Sequence, residues 1–89
     1  MNKTIHLYIK GIVQNVGFRQ FVVTESEIRG LTGWVRNVSD GRVEAEISGR
    51  EELLTEMIAL CHQGSYASEV TDVLVSWEEE KVFTGFVVL

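Results

Sequence analysis

The segment Gly11-Ile12-Val13-Gln14-Asn15-Val16-Gly17-Phe18-Arg19 holds the residue types that grip an anion. A glycine-containing turn lets successive backbone N–H groups converge into a nest. A helix beginning near Phe18 adds the positive end of its dipole at the same point. Arg19 then falls in the first helical turn, where a planar guanidinium can pair two phosphate oxygens. The chemistry this predicts is the holding of a phosphate-like group by a loop. On spacing alone the pattern also fits an ordinary glycine turn followed by a solvated arginine.

Such a loop needs a scaffold, and the chain is large enough to supply one. At 89 residues, with 45% apolar and 24% charged content, it predicts one packed domain over residues 1–89. No apolar run reaches the ~20 residues of a membrane span, and no signal-peptide pattern opens the chain; a cytoplasmic protein is expected. Net charge is −5, with only eight Lys and Arg residues. That balance argues against nucleic acid and anionic membrane as partners. A bound anion must then be held by a local positive site against the overall field. The single Cys61 has no disulfide partner, and no Cys/His group shows zinc spacing.

Periodicity places the elements. Ile5, Leu7 and Ile9 alternate with His6, Tyr8 and Lys10 over Thr4–Lys10, a half-buried strand. Phe18–Arg29 reads as a helix with Phe18, Phe21, Val22 and Ile28 as its apolar stripe and Gly30 just past its end. Gly33–Val38 is a second strand, Ser39-Asp40-Gly41 a hairpin turn, and Arg42–Ser48 a third strand with Glu44 and Glu46 on its polar face. Ser48 and Glu51 have the spacing of a capping box for a second helix, whose apolar face is Leu53, Leu54, Met57, Ile58 and Cys61. Gln63–Ala67 is a loop. Glu69–Trp77 is a fourth strand with a bulge near Asp72, because Val70 and the trio Val73, Val75, Trp77 differ in parity. Val82–Leu89 is a short last strand. The order β-α-β-β-α-β predicts an α+β, ferredoxin-like sandwich: an antiparallel sheet, two helices on one face, water on the other, and an extra C-terminal strand.

Gly11-x-Val13-Gln14-x-Val16-x-Phe18-Arg19, followed by Gly33-Trp34-Val35-Arg36-Asn37 and Asp40-Gly41-x-Val43-Glu44, resembles the acylphosphatase family over essentially the whole chain. The resemblance implies a hydrolase of small acyl phosphates that needs neither metal nor other cofactor. It implies that Arg19 and the amides of Gln14, Asn15, Val16, Gly17, Phe18 and Arg19 bind the phosphoryl group. Asn37 would orient the attacking water. By its residue type alone, Asn37 equally fits a strand end that shapes the following turn. An acyl phosphate is already activated by its carboxylate leaving group, so positioning and charge stabilisation suffice. Inorganic phosphate or sulfate is expected as a product-like ligand, and the protein is expected to be a monomer. Asn15 stands where the family pattern has glycine, and Asn is the next most tolerant residue if positive φ is required.

The alternative reading is a module that binds phosphate or carbamoyl phosphate with weak or no hydrolysis. Among the remaining residues, Trp34 and Trp77 read as packing or rim aromatics, Cys61 as a buried inert thiol and Glu78-Glu79-Glu80 as a solvated loop.

Overall fold

Alternation in the first strand sets the sheet. In the computed structural model, which describes residues 1–89, β1 (Asn2–Ile12) buries Ile5, Leu7 and Ile9 completely. The chain continues through α1 (Phe18–Ile28), β2 (Thr32–Asn37), β3 (Val43–Arg50), α2 (Glu51–Gln63), β4 (Glu69–Glu78) and β5 (Phe86–Val88). The sheet order is β4-β1-β3-β2-β5. The first four strands pair antiparallel, with Ile5 opposite Ile47 and Val35 opposite Ala45. One face carries both helices over a core built from Ile5, Leu7, Ile9, Val35, Val43, Ala45 and Ile47 with Phe18, Val22, Leu54, Met57 and Cys61. The expected ferredoxin-like sandwich is therefore present, with one correction. β5 runs parallel to β2, so the sheet is mixed, and only Phe86–Val88 of the expected Val82–Leu89 strand pairs.

Two elements match their predicted ends closely. α1 closes in a Schellman arrangement: the Leu31 N–H donates to Ser26 O at 2.9 Å and the Gly30 N–H to Glu27 O at 3.0 Å, with Gly30 at φ +69°. Opposite Lys10 and Gly11 the register of β4 slips from Asp72 to Val70, which leaves Thr71 as the extra residue of the expected bulge.

Other expectations fail for local reasons. Ile28 is 70% exposed, and Val23 and Ser26 take the buried positions instead. Arg29 is the C-cap of α1 and binds Glu25 and Glu56, tying α1 to α2. Ser48 does not cap α2. It lies inside β3, where its hydroxyl shares a buried 2.6 Å hydrogen bond with Thr4, and Arg50 is the N-cap. Gln63 still belongs to α2, and Glu78 belongs to β4 and is half-buried.

The face opposite the helices is not simply wet. Glu44 and Glu46 lie on the central strand and are 4% and 8% exposed. Long side chains lie across them. His6 and Arg36 bind Glu44, each at 2.6 Å, and Trp34 and Lys81 bind Glu46 at 3.2 and 2.6 Å. Burial pushes both carboxyls up. Hydrogen bonds outweigh it and hold both below the usual value: His6, Tyr8 and Arg36 act on Glu44, with Lys81 foremost on Glu46.

Candidate active site

The loop between β1 and α1 is shaped by alternate anchoring. Val13 and Phe18 are buried and Val16 packs against the core. Ser65 from the loop after α2 donates its hydroxyl to Val16 O at 3.1 Å. With the apolar side chains held inward, Asn15 and Gly17 face outward, and both have left-handed backbones at φ +62° and +77°. Asn15 is the only residue other than glycine with positive φ. A left-handed conformation that glycine adopts most readily is therefore held here by asparagine.

This geometry frees the backbone donors. The first hydrogen bond of α1 runs from the Phe21 N–H to Gly17 O at 3.0 Å. No N–H from Gln14 through Gln20 donates to a protein acceptor. A helix start always leaves a few such donors. Here the preceding turn adds more, and Gly17 at the N-cap offers no side chain to satisfy them. The result is a concentration of partial positive charge.

Arg19 completes it. Val13, Asn15, Gly17, Phe18, Arg19, Gln20 and Val88 line one concavity. Val88 arrives there because β5 pairs beside β2, with Val35 opposite Val88. Arg29, Arg36, Arg42 and Arg50 all bind carboxylates. Arg19 is the arginine that binds none. In a chain of net charge −5, its guanidinium is left unneutralised by any carboxylate. Asp40 near the hairpin tip is not a competitor. The Arg42 amide and guanidinium hold it below the usual carboxylate value, at 3.1 and 2.8 Å.

Asn37 does not line this concavity, and neither do the side chains of Gln14 and Val16. Asn37 ends β2 opposite Val43, and its Oδ1 is buried without a hydrogen-bond partner. No protein group satisfies it, nor Ser26 Oγ or Glu78 Oε1, so the Asn37 oxygen is open to a water or ligand hydrogen bond. The loop reaches the Asn37 hairpin through Gln14, whose Nε2 donates to Val38 O at 2.7 Å and to Arg42 O at 3.0 Å. The family resemblance implies a role for the Gln14 amide alone. Its partners lie 24 and 28 residues away, so no local pattern could have exposed the contact. Gln20 and Val88 were also missed.

Of the other groups, Cys61 is fully buried and its thiol is pushed up to about 12 by burial. His6, Glu46 and Glu78 bring ligand atoms within 4.8 Å of one another. Two of the three are already engaged, His6 by Glu44 at 2.6 Å and Glu46 by Lys81 at 2.6 Å. No helix is long and apolar enough to cross a membrane.

The acylphosphatase family model matches residues 5–88. An acylphosphatase of Trichormus variabilis is 46% identical over 82 residues, covering 92% of this chain and 81% of its own. One from Thermococcus kodakarensis is 46% identical over 84 residues, covering 94% and 92%. The crystal structure of acylphosphatase from Bacillus subtilis superposes with a TM-score of 0.94 at 37% identity, covering 100% of this chain and 99% of that one.

Proposed function

The chain belongs to the acylphosphatase family, and from that premise we propose how its own residues carry out the hydrolysis of acyl phosphates to a carboxylate and inorganic phosphate. The observation that carries the reading is the run of unpaired amides from Gln14 to Gln20 beside the one arginine without an ion pair. In this reading the amides of Gln14 to Arg19 and the Arg19 guanidinium hold the phosphoryl oxygens. The unpartnered Oδ1 of Asn37 accepts a hydrogen bond from water and directs it in line. Water oxygen bonds to phosphorus as the bond to the acyl oxygen breaks. The carboxylate leaves, and the water proton passes to a phosphoryl oxygen. Charge on the equatorial oxygens is met by donors already in place, so little reorganisation is needed. Phosphate or sulfate should bind the same donors, and one continuous core of 16 buried residues supports residues 1–89 acting as a single domain.

Hydrolysis of benzoyl phosphate, followed by loss of ultraviolet absorbance, tests this directly. Arg19→Ala and Asn37→Ala are each expected to lose about 100-fold or more in kcat/KM, by analogy with removal of one charge-stabilising donor. Native turnover no greater than that of either variant would overturn the assignment. Calorimetric binding of phosphate without turnover would instead select the binding-module reading.

A further inference from the structure

The cradle and the water-orienting residue are on separate elements, and something must hold them in register. We propose that Gln14 is the positioning residue that does so, through its side-chain carboxamide. This rests on the roles given above to Arg19 and Asn37. The β2–β3 turn is closed by two backbone bonds, Val38 N–H to Arg42 O at 2.8 Å and Gly41 N–H to Val38 O at 3.0 Å. Gln14 Nε2 donates to the same two carbonyls, Val38 O at 2.7 Å and Arg42 O at 3.0 Å. It spans the neck of the turn, one residue beyond Asn37.

The match of two N–H protons to two carbonyls defines the amide orientation, since the oxygen placed there would face two acceptors. These two are the hydrogen bonds that join the loop to the hairpin. The far end of the link is firm, because Gln14 sits between buried Val13 and left-handed Asn15. Asn37 has no side-chain partner to orient its Oδ1, so its placement depends on the backbone that Gln14 grips. A displacement on the order of 1 Å at a reacting group can cost about 100-fold in rate, which is the scale on which a lost brace acts. Met at this position keeps the length and loses both donors. Leu likewise stays neutral and offers no donor.

The test is a double-mutant cycle on the intact chain, with benzoyl phosphate turnover and competitive inhibition by phosphate as separate readouts. Gln14→Met is expected to lower kcat about 10- to 100-fold while phosphate inhibition stays within about threefold, because the cradle amides and Arg19 remain. In the Asn37→Ala background the same change should alter kcat by less than about threefold, since the group it positions is gone. If Gln14→Met is not folded by circular dichroism, Gln14→Leu, also neutral and without donors, carries the test with the same expected split. An unchanged kcat overturns the proposal. So does an equal loss in both backgrounds, which means action independent of Asn37. A parallel loss of phosphate inhibition also overturns it, reducing Gln14 to a support of the cradle. Full native turnover in Asn37→Ala alone is a different failure. It removes the role of Asn37 itself, and the positioning role falls with it.

Discussion

Asn15 offers the cleanest measurement of what the cradle costs and what it needs. It is exposed and sits at φ +62°, so replacing its side chain removes no core contact and isolates backbone strain. A left-handed backbone costs an ordinary L-residue about 1–2 kcal/mol, and asparagine is among the residues that bear it best. Asn15→Ala should therefore lose roughly 1 kcal/mol and Asn15→Val roughly 2, because a branched Cβ crowds the following carbonyl more. For a chain of this size each kcal/mol lowers the melting temperature by about 4–8 °C. Asn15→Gly relieves the remaining strain but frees the unfolded chain by about 0.4–1 kcal/mol, so the two effects nearly cancel. Because Asn15 already holds the conformation that glycine would take, Asn15→Gly should leave turnover and phosphate inhibition within about threefold of native. Scanning calorimetry with and without phosphate, beside the benzoyl phosphate assay, reads all of this. Phosphate at about 100 times its Kd should add about 2.7 kcal/mol to every variant whose cradle survives. A tenfold gain in turnover on Asn15→Gly, or an Asn15→Val protein that melts with the native one, refutes the reasoning.

Two further predictions concern groups outside the cradle. Hydrogen bonding holds the Glu44 carboxyl below its ordinary value of 4.5 despite burial. A lowered folded value means the stabilisation is complete above the ordinary value and is lost as pH falls through the lowered one. The melting temperature should therefore drop as pH is lowered below about 4.5, and Glu44→Gln should melt lower at neutral pH with a shallower acid dependence; parallel acid curves for the two proteins would contradict this. Cys61 is buried, with its thiol pushed up to about 12. It should resist Ellman's reagent in the native protein and react fully in guanidinium; rapid native labelling would mean the core opens at α2.

Local chemistry makes much of this protein legible in its sequence alone. Period-two alternation in Ile5, Leu7 and Ile9 marked β1. Gly30 marked the end of α1, and clashing parities around Asp72 marked the bulge, because each depends on residues a few positions apart. The loop from Gly11 to Arg19 was legible for the same reason. A turn that points amides outward and a helix with an arginine in its first turn are local events.

What stayed hidden depends on residues far apart in the chain. Ser48 had the spacing of a helix cap, yet pairing with Thr4 of β1 drew it into the sheet. Glu44 and Glu46 alternate like solvent-facing residues, but partners from β1, β2 and the segment after β4 cover them. Parallel pairing of β5 brought Val88 to the concavity beside Arg19. Above all, the sequence determined by itself that a glycine-containing turn and then a helix with Arg19 in its first turn follow the first strand. Only the tertiary structure decided that Arg19 would be left without a carboxylate and that no protein group would satisfy the Asn37 oxygen. It alone brought the Gln14 carboxamide to the Asn37 turn. The availability of a charge, or of a hydrogen-bond acceptor, is a property of everything packed around it.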